Sequence, residues 1–262
     1  MKLLYKLDEW VSLPENEQQS RLPLSGSSQL DDVFVRYQLV DLNKPLLFTF
    51  SPSGTDVKER DLHDNFSPWG YELAQQHQVN VIAFQHLGIS NWFRSPNLIY
   101  FLEQLSMLLT PFKLRLGYGL SRGGFAIGAF ANLLKLDHVL LFYPVSTKNQ
   151  SLVPWDDRSS TKLAQQFDWQ GDYHDRDLGN AQGYIVYDPT NDIDKLHAER
   201  YPELTHFTVV GMGHGVHPNN LDRRDFYNQM VEQFIHHQMI YPSDFKVQNS
   251  ELSSKPLGKK NW

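Results

Sequence analysis

The feature that most limits the fold of this chain is the alternation, from residue 33 to residue 239, of short apolar runs with amphipathic stretches. Residues 45–50 and 79–84 are almost wholly apolar, as strands covered on both faces must be. Between them, residues 67–78 place Trp69, Leu73 and Ala74 at helical spacing, with Pro68 suited to a first turn. After Pro96 a helix is predicted from Leu98, Phe101, Leu102, Leu105 and Leu109, stopped by Pro111. A strand at 113–118, a helix at 121–135 and a strand at 138–143 follow. Strand 184–187, a helix from Asp194, strand 205–210 and a helix at 221–239 complete the series, and residues 32–40 alternate like a half-buried strand. This rhythm predicts an α/β fold: a mostly parallel central sheet with helices on both faces. Lys113 and Arg115 are charged within a strand that should be central, so they are expected at its solvent end.

With 262 residues and 40% hydrophobic content, the chain suits a single domain. Residues 147–182 lose the periodicity and set Trp155, Phe167, Trp169 and Tyr173 among Asp, Arg and Gln, which predicts a cap or lid insertion. Residues 241–262 are polar and are expected to form a loose C-terminal tail. A net charge of -6 argues against a nucleic-acid partner. The absence of cysteine excludes disulfides, a Cys-ligated zinc and a thiol nucleophile. Residues 1–10 reach Asp8 and Glu9 before any apolar stretch long enough for export. No window approaches the roughly 20 apolar residues of a membrane span, so the expected location is the cytoplasm.

The sharpest local motif is Gly119-Leu120-Ser121-Arg122-Gly123, between a predicted strand and a predicted helix. G-x-S-x-G arises by chance in roughly one chain in ten of this size, so its flanks carry the argument. A serine at a tight strand-to-helix turn adopts a strained backbone, and small residues two before and two after avoid clashing with it. The hydroxyl then projects past the sheet at the positive end of a helix, where a developing oxyanion is favoured.

A serine nucleophile needs a histidine base and a carboxylate to orient it. Strand 205–210 runs into Gly211-Met212-Gly213-His214-Gly215-Val216-His217, which makes His214 the candidate base and His217 the alternative. Strand 184–187 ends in a loop with three carboxylates, Asp188, Asp192 and Asp194. Asp194 has the position of a helix N-cap. Asp192 is preferred as the acid, because the loop there can fold back toward His214, and Asp188 is the alternative.

In the order of its elements from about residue 33 to 239, and in residues 119–123, the chain resembles the α/β-hydrolase fold superfamily of serine hydrolases. His86-Leu87-Gly88-Ile89-Ser90 is similar to a turn often found there after the preceding strand. Two positions depart from the pattern: Ser51-Pro52 stands where a His-Gly pair is usual, and Asp188 where a glycine is usual. The resemblance implies an ester or thioester substrate, an acyl-enzyme and no cofactor or metal. It also implies an oxyanion hole formed by the backbone N–H groups of Arg122 and Ser53, since Pro52 has none. Acyl transfer to a glycan or lipid, deacylation, and a catalytically silent binding protein are the alternatives.

Other groups carry less. His214, His217 and Asp222 match no established metal spacing. Residues 172–177 mix charge signs and are expected to be an exposed face, and Trp92, Phe93 and Arg94 either line a pocket mouth or pack.

Overall fold

A computed structural model describes residues 2–63, 66–88, 91–215 and 221–240. Eight strands form one sheet: β1 (Leu24–Leu30), β2 (Val33–Leu39), β3 (Leu46–Phe50), β4 (Asn80–His86), β5 (Arg115–Leu120), β6 (His138–Phe142), β7 (Gln182–Tyr187) and β8 (Thr205–Thr208). Their order is β1-β2-β4-β3-β5-β6-β7-β8. β2 pairs antiparallel with both β1 and β4, and every pair from β4 to β8 is parallel. The helices are α1 (Lys2–Val11), α2 (Glu15–Ser20), α3 (Tyr71–Gln76), α4 (Pro96–Met107), α5 (Ser121–Leu134), α6 (Ser159–Ala164), α7 (Asp192–Ala198) and α8 (Leu221–His237).

Because side chains alternate across a strand, each central strand feeds two cores. Phe48, Phe50, Val139 and Leu141 pack on one face with α1, α4 and α5, through Trp10, Phe101 and Phe130 among others. Leu47, Leu140 and Phe142 pack on the other with Tyr71 of α3 and Met230 and Phe234 of α8. The expected doubly covered sheet is therefore present. Among the described residues, no helix is long and apolar enough to cross a membrane.

Several boundaries differ for local reasons. Strand β1 and helix α2 lie in a stretch that looks merely polar. β1 is an edge strand with alternating burial, and Tyr37 of β2 lies so close over Gly26 that a Cβ there would stand 2.9 Å from its ring. Helix α3 starts later than predicted. Thr49 Oγ1 donates to the Trp69 carbonyl at 2.8 Å, and Gly70, at φ +82°, turns the chain into the helix. Lys113 falls outside β5. Arg115 opens the strand and turns its guanidinium to the Leu109 carbonyl beyond α4 (2.8 Å) and the Leu134 carbonyl at the end of α5 (3.4 Å), answering C-terminal carbonyls that lack helical partners.

The aperiodic stretch 147–182 holds the short helix α6, and a third core joins it to α5. Trp92, Phe125, Ala129, Val145, Ala164 and Trp169 are all buried together there. Trp92 and Phe93 are packing residues, while Arg94 lies over the Trp169 ring and donates to the carbonyls of Asp168 and Gln170. The 172–177 segment is more engaged than expected: Asp175 pairs with Arg200 and Arg176 with Glu203. The 241–262 tail, His217 and Ile89-Ser90 lie outside the described residues.

Candidate active site

Strand β5 ends at Leu120, and α5 begins at Ser121, whose φ of +49° is the strained conformation of a sharp strand-to-helix turn. The surrounding glycines are sterically required. A Cβ on Gly119 would stand 2.5 Å from the Gly123 carbonyl oxygen, and one on Gly123 would stand 2.1 Å from that of Phe50. Both contacts are with backbone, which cannot swing away. Gly123→Ala is thus expected to force β3 and α5 apart and cost about 3 kcal/mol, lowering the melting temperature by roughly 6–12 °C in a thermal scan.

Ser121 is 7% exposed. Its Oγ lies 2.9 Å from Nε2 of His214, in the loop after β8, and His214 Nδ1 lies 2.7 Å from Oδ1 of Asp194. A carboxylate can only accept, so Nδ1–H donates to Asp194 and Nε2 is left to accept from the serine hydroxyl. The Tyr143 ring meets the imidazole edge-on, with centroids 5.0 Å apart. The Ser121 carbonyl is held by the Val145 N–H at 3.2 Å.

The carboxylate beside His214 belongs to Asp194, which corrects the expectation of Asp192 or Asp188. The N-cap of α7 is Asn191, whose side chain accepts from the Asp194 N–H at 3.2 Å. The cap therefore lies three residues earlier than predicted, and Asp194 sits within the first turn of the helix. Residues two apart on a helix point roughly 200° apart, so Asp192 faces solvent while Asp194 is fully buried. Asp188 has a different place. Its Oδ2 accepts from the Gly213 N–H at 2.7 Å, and its Oδ1 from the Thr190 N–H and hydroxyl. Burial would raise the Asp188 carboxyl, but these hydrogen bonds outweigh it and hold the group below the usual carboxylate range. Asp188 thus ties the histidine loop to the end of β7.

Arg122 is 2% exposed, and its side chain reaches the loop after β3. It donates to the Pro52 carbonyl at 3.0 Å and to Asp56 Oδ1 at 2.5 Å. Its backbone N–H, in the first turn of α5, has no intrahelical acceptor. Ser53 is exposed at the turn of the same loop. Arg122 therefore clamps that loop beside the nucleophile, a role invisible in the motif itself.

Sequence reasoning missed a second buried serine–histidine–aspartate array. Ser146 Oγ lies 2.9 Å from His197 Nδ1, and His197 Nε2 lies 3.1 Å from Asp156 Oδ2. The Ser146 N–H also donates to His197 Nδ1, and Arg158 Nη2 lies 2.8 Å from Nε2. Burial pushes His197 down to about 4, so the ring is neutral at pH 7. Lys148 Nζ reaches Asp156 at 2.9 Å, and burial pushes this lysine down to about 8. Ser146, Lys148, Asp156 and His197 are all fully buried. The only hint in the sequence was charge inside the aperiodic stretch, which ordinarily marks a solvated surface. Among the described residues, no group of three or more His, Asp or Glu side chains is arranged to hold a metal ion.

No protein-family model and no curated protein sequence matches the chain. Solved structures do. The virulence factor BioJ of Francisella superposes with a TM-score of 0.51 at 15% identity, over 88% of this chain and 95% of that one. The capsule O-acetyltransferase of Neisseria meningitidis serogroup A gives 0.53 at 10% identity, over 79% and 93%. A candidate esterase of Staphylococcus aureus gives 0.51 at 12%, over 89% and 91%. The strand order, the turn at Ser121 and these superpositions over most of the chain together establish that it has the α/β-hydrolase fold.

Proposed function

We propose that this protein is a serine hydrolase acting on an ester or thioester, with Ser121 as nucleophile, His214 as general base and Asp194 as the orienting acid. The observation that carries the reading is the continuous hydrogen-bonded line from Ser121 Oγ through both nitrogens of His214 to Asp194. Ser121 Oγ would attack the acyl carbon while His214 Nε2 takes its proton, and the carbonyl π pair would move onto oxygen. The Arg122 N–H and the Ser53 N–H are proposed as donors to that oxyanion. Collapse would expel the alcohol or thiol with the proton from His214, and water would then release the acyl group from serine. The Ser146 array is set aside as a site because its three side chains are sealed from solvent.

The substrate is a short acyl group. The buried cluster of Trp92, Phe125, Val145 and Trp169 packs on the first turns of α5, and we take it as the wall that bounds the acyl group. Transfer of the short acyl group to a hydroxyl acceptor, such as that of a glycan, is the second reading. It draws support from the same packing and from the likeness to an O-acetyltransferase. A fluorophosphonate probe is expected to label the protein once, at Ser121 by peptide mapping. Nitrophenyl acetate should be cleaved at least about tenfold faster than the octanoate. An absence of labelling would leave a silent binding protein, and a preference for octanoate would remove the short-acyl assignment.

A further inference from the structure

Arg158 comes from the aperiodic stretch between β6 and β7, yet it touches the carboxylate that faces His214. Its Nε donates to Asp156 Oδ1 at 2.8 Å and its Nη2 to Asp156 Oδ2 at 2.9 Å, a bidentate fork that fixes the guanidinium plane. The remaining nitrogen, Nη1, is thereby aimed at Asp194 Oδ1, 3.4 Å away. Asp156 is itself immobilised by Lys148 and His197. Burial would raise the Asp156 carboxyl, but its hydrogen bonds to His197 and Arg158 and the charge of Lys148 hold it far below its ordinary range, so the fork stays ionised.

Asp194 depends on such support. Its side chain is 1% exposed, and Oδ2 is buried without a hydrogen-bond partner among the described residues. Burying a carboxylate is costly unless compensating charge or donors accompany it. Apart from the His214 ring, Arg158 is the one basic side chain within ion-pair distance of Asp194 among the described residues.

Building on the proposed function, we infer that Arg158 is a positioning residue for the proposed acid: it compensates the charge of Asp194 and orients it toward His214 Nδ1, and so couples the 147–182 stretch to catalysis. The second buried array is then the anchor of this guanidinium, and the seat of no chemistry of its own. Lysine keeps the charge but loses the fork, so it restores only part of the function.

Two measurements test this on the full-length protein. In the first, kcat and KM for nitrophenyl acetate are compared among wild type, Arg158→Met, Arg158→Lys, Asp194→Asn and the Arg158→Met/Asp194→Asn double variant. Expected are a fall in kcat of about 10- to 100-fold for Arg158→Met with KM little changed, a smaller fall for Arg158→Lys, and no further loss when Arg158→Met is added to Asp194→Asn. In the second, proton NMR follows the far-downfield His214 Nδ1–H resonance, which needs no turnover. It should broaden or move upfield in Arg158→Met while the remaining spectrum stays native. An unchanged resonance, or an equal effect of Arg158→Met with and without the Asp194 carboxylate, would overturn the inference. An inactive wild type with a resonance that responds to Arg158→Met would instead refute the proposed function alone.

Discussion

Ser121→Ala is expected to lower kcat/KM for a nitrophenyl ester by about 10⁴- to 10⁶-fold, to abolish fluorophosphonate labelling, and to leave the fold intact. The variant removes one oxygen, from a residue that is 7% exposed and bonded to His214. The strained backbone is set by the packing of Gly119 and Gly123 against neighbouring main chain, so alanine inherits it. The melting temperature should therefore stay within a few degrees of wild type. Ser146→Ala is the natural control. It removes the serine end of the buried array and destabilises the protein, but labelling should still occur at Ser121, slowed no more than in Arg158→Met. Labelling that survives in Ser121→Ala and disappears in Ser146→Ala would reverse the assignment.

The three neighbouring carboxylates should separate cleanly by kinetics. Asp194→Asn is expected to cost about 10⁴-fold in kcat, because an amide cannot stabilise the imidazolium and leaves the histidine tautomer undetermined. Asp192→Asn should change kcat by less than about twofold, as a surface substitution away from the reacting groups. Asp188→Asn should fall between them. Its oxygens hold the Gly213 N–H and Thr190, and loosening them lets the histidine loop drift from Ser121. A steady-state comparison of the three variants with one ester decides the order. A larger loss in Asp192→Asn than in Asp194→Asn would exclude the acid proposed here.

The cases that could and could not be read from the sequence divide along a physical line. The apolar runs at 45–50 and 79–84 announce buried parallel strands, since few other structures bury backbone and side chains on both faces at once. The meeting of Ser121 with His214 was legible for a related reason. Both follow strand ends, and parallel strands deliver their C-terminal loops to one edge of the sheet. Edge strand β1 was hidden because an edge needs little apolar surface.

The choice among Asp188, Asp192 and Asp194 lay beyond the sequence. It depended on where α7 starts, and that depended on whether Asn191 or Asp194 caps it, two residues of nearly equal capping strength. The links of Arg122 to the loop after β3 and of Arg158 to Asp194 were equally hidden, because they join residues 66 and 36 positions apart.

The amino-acid order by itself determined the layered architecture, the bend at Ser121 and the edge of the sheet where a site can form, because these follow from periodicity and from glycines that local sterics demand. Only the tertiary structure decided which carboxylate faces His214 and which cations support it. Such contacts are set by the angular phase of a helix and by the packing of an aperiodic segment, and neither quantity is written in any local stretch of the chain.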